Sequence, residues 1–433
     1  MRGDTPSPMP QTATPASNSI TTTTVPSNGL AVRSISIPGT RALTILVAFD
    51  AGARTERPEE NGMAHFLEHL VFKGGEKYPT HQAINNTAEG LGGVLNAYTS
   101  HDLVAFHITV RAEAAAEALD LLTDFVARPH LDASELDRER GVVIQEINRA
   151  YDQPAVVAEY LIDRAAFGAH PLGRTVLGPE ENLREFTRDA IVAFRERRWS
   201  GARGGAFLAG NVDHLPDEQG IAELFARFPS LPEPEPYEPV PAFAPETLVE
   251  PKDTNQSHLR MIYRPTLDVT DLRARAALDV YSTLLGGSMS SRLFEEIREK
   301  RGLCYSVYAA DHTLADAAIL QLSSGLQSDK CIEAYARMRE IVTELRDDGP
   351  TEQEFLRART YAAGRLVLAF ENTGAVARHA ANQAIVFRED VDPDVAIRAL
   401  DAVTFDEVRE VAAAIPDELA IACVGPHVAS EFN

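Results

Sequence analysis

Hydrophobic and polar positions along this chain follow one rhythm twice. In "LTILVAFDAG" (43–52) a continuous apolar run ends at a glycine, the mark of a buried strand. Met63, Leu67, Leu70 and Val71 then recur at helical spacing, and Gly74-Gly75 supplies a stop. A helix over 80–91, the extended runs "GGVLNAYTS" and "DLVAFHITV", and helices near 112–127 and 133–150 complete the first round. After residue 256 the order returns. Strand "SHLRMIYRP" precedes helices at 270–285 and 290–300, extended runs "GLCYSVYAA" and "AAILQLSSG", and helices at 329–346 and 351–371. "FLAGNVD" and "LAIACVGP" read as late strands of the two rounds. A repeated strand-helix-helix-strand-strand-helix-helix order predicts an α+β protein of two duplicated domains, each a mainly antiparallel sheet packed with helices.

One break in pattern separates the rounds. "FPSLPEPEPYEPVPAFAPETLVEPK" (228–252) alternates Pro and Glu, which stiffens a chain and resists both helix and sheet. The expected organisation is a disordered Ser/Thr/Pro-rich tail over 1–28, a domain over 29–228, a linker over 229–252 and a domain over 253–433.

Charge narrows the choice of partners. The 41 Lys and Arg against 64 Asp and Glu give −23, which disfavours nucleic acid and anionic membranes and suits cationic ligands. No apolar run is long enough to span a bilayer. Cys304, Cys331 and Cys423 form no disulfide framework and no close metal-ligand pair in sequence, which fits a reducing compartment. The tail lacks the apolar core of a signal peptide, so a cytoplasmic location is expected.

Within the first predicted helix, "AHFLEHLVFKGG" (64–75), three ionisable groups interrupt an apolar pattern. His65, Glu68 and His69 occupy i, i+3 and i+4 and share one face. Two imidazoles one turn apart can grip one Zn²⁺, and the carboxylate between them can reach a water on the metal. The H-x-x-E-H order reverses the commoner H-E-x-x-H. A catalytic zinc needs a third protein ligand from another element. Helix 133–150, "ASELDRERGVVIQEINRA", offers Glu135, Glu139 and Glu146, the last two sharing a face two turns apart. With Val142, Val143 and Ile147 burying this helix, Glu146 is the better candidate for a buried ligand and Glu139 for an anion steadying a histidine or the metal. His81, His101, His107, His130 and His170 read as ordinary surface or core residues.

These stretches, with "NGL" (28–30), "LNAYTS", "RERGVVIQEI", "HPLGRTVLGPEENL", "AGNVD" and "GGSMSSRLFEEIREKRGLCYSVYA", resemble the pitrilysin-like (inverzincin) zinc metallopeptidases over nearly the whole chain after residue 30. Within that family the chain looks like a half-size bacterial-type member similar to the mitochondrial processing peptidase beta subunit. The resemblance implies Zn²⁺ held by His65, His69 and Glu146, Glu68 as general base and Glu139 as supporting carboxylate. It implies that Arg298 and Tyr305 of "IREKRGLCY" join the active site, and that the run carrying Asn96 and Ala97 receives substrate as an added strand. It also implies a clamshell-type dimer enclosing peptides or unfolded segments in a chamber. Both residue sets on one chain favour a homodimer over a heterodimer with a paralogue. The alternative is a non-catalytic scaffold or peptide-binding subunit of the same fold. Departures are a longer tail and Gly141, which interrupts the ligand helix at about 1 kcal/mol relative to Ala.

The bulk charge generates a first prediction. Lys/Arg-rich peptides should be cleaved faster than acidic peptides of matched length at low salt, with the advantage shrinking as salt rises. Equal rates at low salt, measured with matched fluorogenic peptides, would contradict an acidic chamber wall.

Overall fold

Two sheets organise the chain, and a computed structural model describes residues 19–432. The first half contains β1 (Ser19–Thr24), β2 (Ala31–Ser36), β3 (Ala42–Phe49), α1 (Met63–Val71), α2 (His81–Gly90), β4 (Val94–Thr99) and β5 (Val104–Arg111). It continues through α3 (Ala115–Ala127), α4 (Ala133–Tyr151), α5 (Pro154–Phe167), α6 (Glu180–Glu185), α7 (Arg188–Arg198), β6 (Gly204–Gly210) and α8 (Glu218–Phe225). The second half begins with β7 (Thr247–Pro251), β8 (Gln256–Tyr263), α9 (Leu272–Gly286), a π-helical turn Phe294–Glu299, β9 (Cys304–Thr313) and β10 (Ala318–Gln327). There follow α10 (Cys331–Asp348), α11 (Glu352–Phe370), α12 (Thr373–Ala381), α13 (Pro393–Ala402), α14 (Phe405–Ala414) and β11 (Ala420–Gly425).

Strand order is β1-β2-β6-β3-β5-β4 in one sheet and β7-β11-β8-β10-β9 in the other. Pairs β2–β6 and β7–β11 are parallel and the remaining pairs antiparallel, so each domain is a mixed sheet with the same five-strand order. β4 and β9 occupy corresponding edges.

Successive strand residues point to opposite faces, and both faces of each sheet are apolar. On β3, Leu43, Ile45, Val47 and Phe49 enter the first-domain core, whereas Leu46 and Ala48 face the other way. The residues covering that second face come from the other half of the chain. Val376, Ala377, Ala380 and Ala381 of α12 pack there, and Thr373 Oγ1 lies 2.8 Å from Thr44 Oγ1. The second sheet is treated reciprocally. Leu259, Met261 and Cys423 face its own core, while Ile262, Ala420 and Ala422 pack against Ile162, Ala165 and Ala166 of α5. Glu159 of α5 pairs with Arg260 of β8 and accepts a 2.7 Å hydrogen bond from Gln321 Nε2. The alanines let both exchanged helices approach closely. Neither helix figures among the predicted elements.

Two boundaries differ from those expected. Residues 1–18 of the expected tail lie outside the described residues, but Ser19–Thr24 is a strand, because its β-branched run pairs with β2 from Ser19↔Ser36 to Thr24↔Ala31. Asn28 is buried, donating 2.9 Å hydrogen bonds to the carbonyls of Phe225 and Phe228. The linker ends early, since Thr247–Pro251 joins the second sheet beside β11. It is also pinned to the body. Buried Arg54 bonds Asp102 at 3.0 Å and Asp316 of the second half at 2.9 Å, and stacks 4.0 Å from the Tyr237 ring centroid. Asp316 Oδ2 in turn accepts the Val240 N–H at 2.9 Å. A further difference concerns cysteines. Cys331 and Cys423, distant in sequence, meet in the second core beside His427, so a close ligand pair does exist in space. All three cysteines are free thiols. Among the described residues no helix is long and apolar enough to cross a membrane.

Arg54→Ala would leave Asp102 and Asp316 facing each other without their cation. Breaking a buried ion pair from one side typically costs about 3–5 kcal/mol, and with Asp316 30% exposed the lower end is expected. Urea unfolding should show that loss; an unchanged midpoint would mean the clamp contributes no stability.

Candidate active site

α1 begins where Gly62 adopts φ +98°, and a Cβ there would sit 2.6 Å from the Leu177 carbonyl oxygen. The free N–H groups of this helix end are taken by a buried carboxylate. Glu56 accepts from Gly62 N at 2.9 Å, Ala64 N at 2.7 Å and Asn61 Nδ2 at 3.0 Å. Burial pushes the Glu56 carboxyl up to about 8, against the pull of those donors. With both oxygens engaged as acceptors, the hydrogen-bond pattern is that of the carboxylate. Met63, Phe66, Leu67, Leu70 and Val71 anchor α1 in the first core, which turns His65, Glu68 and His69 toward a cavity of about 580 Å³.

α4 packs against α1 through Leu136, Val143 and Ile147. It brings Glu146 Oε2 to 3.7 Å from His65 Nε2 and 3.5 Å from His69 Nε2. All three donor atoms lie within 4.8 Å of one another. Ligands about 2.0–2.2 Å from a tetrahedral ion stand roughly 3.3–3.6 Å apart, so this donor set fits Zn²⁺ with little movement.

The two glutamates differ in burial opposite to the expectation. Glu139 is the buried one, its side chain 5% exposed, while Glu146 is 45% exposed at the cavity wall. The reason is partners. Glu139 lies 2.9 Å from His69 Nδ1 and pairs with Lys73, so its charge is compensated inside the protein. Burial alone would raise the Glu139 pKa, but the bonds to His69 and Lys73 outweigh it and hold it low. Glu146 has the open cavity instead. Val142 is also exposed rather than helping to bury the helix. α4 runs unbroken through Gly141, where a Cβ would meet nothing.

The two imidazoles sit in unlike fields. Burial, then the charge of His69, lowers His65 to about 3, so it is neutral and able to ligate. Burial opposes protonation of His69 too, but its hydrogen bond to Glu139 and the charges of Glu139, Glu68 and Glu146 together raise its pKa. A His69 Nδ1–H donated to Glu139 leaves Nε2 aimed at Glu146. His65 Nδ1 is buried without a hydrogen-bond partner among the described residues. Glu68 Oε2 accepts a 2.5 Å hydrogen bond from Thr99 Oγ1 at the end of β4. Burial raises the Glu68 pKa, Glu146 adds to the rise, and Thr99 and His69 restrain it. A carboxylate tuned upward is a stronger base.

Ala97, with Tyr98 and Thr99, lines the cavity from β4, whose outer edge pairs with no described strand. Asn96 is exposed, with Oδ1 accepting from Ala97 N at 2.9 Å. Arg298 and Tyr305 are elsewhere. Arg298 lies in the turn before β9, its guanidinium 4.7 Å from the Phe294 ring centroid and 5.7 Å from that of Tyr305. Tyr305 is 83% exposed on edge strand β9, and neither residue lines the cavity. None of His81, His101, His107, His130 and His170 lines it either. Glu56, Thr99 and Lys73 were not predicted to act here; only Lys73, one turn beyond His69, carried a local signal. Arg149, Gln153 just before α5, and Val156 and Tyr160 of α5 also line the wall, so that wall is not uniformly acidic.

Residues 31–180 match the family described as Insulinase (Peptidase family M16), and residues 185–361 match the Peptidase M16 inactive domain. The chain is 30% identical to the uncharacterized zinc protease YmxG of Bacillus subtilis, covering 92% of this chain and 97% of that protein. It is 31% identical to the uncharacterized zinc protease SCO5738 of Streptomyces coelicolor, covering 90% and 86%. In fold it is similar to a peptidase M16 inactive domain from Pseudomonas fluorescens, with TM-score 0.84, 19% identity, and 95% and 99% of the two chains covered. A protease from Helicobacter pylori gives TM-score 0.82 at 20% identity, with 95% and 100% covered.

Removing the carboxylate that caps α1 should disturb the ligand-bearing helix. Glu56→Ala is expected to cost about 2 kcal/mol, as a lost cap leaving buried donors unmet, and to weaken zinc binding. Chemical unfolding with a zinc-chelator competition would check both; unchanged affinity would separate the cap from metal binding.

Proposed function

The chain belongs to the M16 (insulinase) peptidase family, and on that premise we propose that it is a zinc-dependent endopeptidase acting on peptides or unfolded segments. The observation carrying this reading is the convergence of His65 Nε2, His69 Nε2 and Glu146 Oε2, with Glu68 on the same helix face. His65, His69 and Glu146 would hold the ion, and Glu139 with Lys73 would fix His69. Zinc bound there would acidify a water and polarise the scissile carbonyl. Glu68, held at Oε2 by Thr99, takes a proton from the attacking water through its other oxygen and returns it to the leaving amine. Substrate adds as a strand to the free edge of β4, where backbone pairing demands an extended peptide but reads little sequence. The gathering of His65, Glu68, His69 and Glu146 at one cavity weighs against the alternative of a non-catalytic scaffold.

Zinc analysis of purified variants tests this. His65→Ala and Glu146→Gln should each lose one zinc equivalent relative to the unmodified chain, whereas Glu68→Gln should keep it and fall roughly a thousandfold in activity. Full activity in Glu68→Gln would sink the mechanism. Loss of metal from Glu139→Gln but not from Glu146→Gln would reverse the roles of the two glutamates.

Because Arg298 and Tyr305 do not line the cavity of their own chain, a twofold homodimer is proposed in which each serves the partner's site, holding the carbonyl or oxyanion. Glu68→Gln and Arg298→Ala homodimers should each be nearly inactive. After equal subunit exchange, about half the dimers carry one complete site of two, so activity should recover to roughly a quarter of wild type. No recovery after verified exchange would rule out shared sites.

A further inference from the structure

A second cluster of metal-ligand side chains lies in the other domain. Cys331 is the first residue of α10, Cys423 lies within β11, and His427 follows that strand. All three are buried, and the two sulfurs and a histidine nitrogen lie within 4.8 Å of one another. The neighbouring hydroxyls determine which nitrogen of His427 is free. Ser328 donates its only hydroxyl hydrogen to the Thr254 carbonyl at 2.9 Å, so Ser257 must donate its own to Ser328 Oγ at 3.0 Å. Ser257 Oγ can then only accept across its 2.8 Å contact with His427 Nε2. His427 therefore carries its hydrogen on Nε2, and in the neutral ring Nδ1 presents a lone pair. That arrangement, one ring nitrogen donating to a polar neighbour and the other free, is how metal-binding histidines are held.

The surroundings suit a cation. Glu431 Oε2 lies 3.7 Å from His427 Nδ1 and also accepts the Val428 N–H at 2.8 Å. A lone pair facing a carboxylate at that distance is repulsive unless a positive charge or a proton stands between them. Glu431 also lines a surface cavity of about 480 Å³ with Ile332 and Tyr335.

We propose that Cys331, Cys423 and His427, closed by Glu431, form a second metal site, structural rather than catalytic, for a thiophilic divalent ion of the zinc class. Two sulfurs and an imidazole nitrogen select such an ion over calcium or magnesium. Cys423 hydrogen-bonds Cys331, which with burial raises its thiol pKa, so binding must displace that proton. Occupancy would tie the C-terminal turn Ala429–Phe432 to α10 and β11. β11 is the strand on which α5, a wall of the catalytic cavity, rests.

The test is anaerobic cobalt titration of the reduced, chelator-stripped full chain. Cobalt bound to thiolate gives a near-ultraviolet charge-transfer band that a His/His/Glu site cannot give. The band should appear in wild type, persist in His65→Ala/His69→Ala and in Cys304→Ser, and vanish in Cys331→Ser and Cys423→Ser. Zinc should also raise the melting temperature of His65→Ala/His69→Ala. Absence of the band from wild type, or a band that disappears with Cys304→Ser alone, overturns the proposal. If the core cysteine variants do not fold, wild type, Cys304→Ser and the double histidine variant still decide. Because the double histidine variant lacks the catalytic donor set, failure of either site shows independently of the other.

Discussion

A β-sheet with two apolar faces must be covered on both, and here the second cover always comes from the other half of the chain. α12 lies on the first sheet and α5 on the second. Each domain thus completes its neighbour's core. α5 does more than cover a sheet, since its other side carries Val156 and Tyr160 into the cavity beside His65, His69 and Glu146. The shape of the candidate active site therefore depends on the packing of a helix whose support belongs to the second domain. Arg54, bridging Asp102 and Asp316, and the pinned Pro/Glu segment reinforce the same junction.

Inside the cavity the governing fact is the cost of burying charge. Ionisable groups on an apolar helix are tolerated only when each has a partner or a metal. Glu139 is paired with Lys73 and His69, Glu56 with the N-terminus of α1, and Glu68 with Thr99. His65 Nε2, His69 Nε2 and Glu146 Oε2 instead face one another at the cavity. In the second domain a chain of hydroxyls fixes the hydrogen of His427 on Nε2, Glu431 Oε2 lies 3.7 Å from its Nδ1, and a nitrogen of the same ring lies within 4.8 Å of two thiols.

The comparison of the two sheets bears on how the site was assembled. The same five-strand order occurs in both, and β4 and β9 are equivalent edges. In the first domain α1, packed beside edge strand β4, carries His65, Glu68 and His69. At the corresponding edge of the second domain stand Arg298 and Tyr305, a cation and a hydroxyl exposed to whatever approaches that edge. The duplicated frame therefore presents the face of His65, Glu68 and His69 at one edge and a cation and a hydroxyl at the other.

Features set by local geometry were legible in the sequence. The shared face of His65, Glu68 and His69 follows from 3.6 residues per turn, and the duplicated order of elements follows from hydrophobic period and length. α5 and α12 escaped that reading because their buried stripes are built largely of alanine (Ala158, Ala165 and Ala166; Ala377, Ala380 and Ala381), which gives a weak apolar signal in sequence. The threonine run of β1 looked like a tail because its polar side chains give no apolar signal, whereas its pairing with β2 is a matter of backbone hydrogen bonds. The relative burial of Glu139 and Glu146 rested on Lys73 and His69 from another helix, and the meeting of Cys331 with Cys423 on the docking of α10 against β11's sheet. By itself the sequence determined which residues share a helix face and how the elements repeat, since those depend on neighbours in the chain. Only the tertiary structure decided which charges are paired, which helices cross between domains and which distant ligands converge, because those energies arise between segments whose proximity no local pattern encodes.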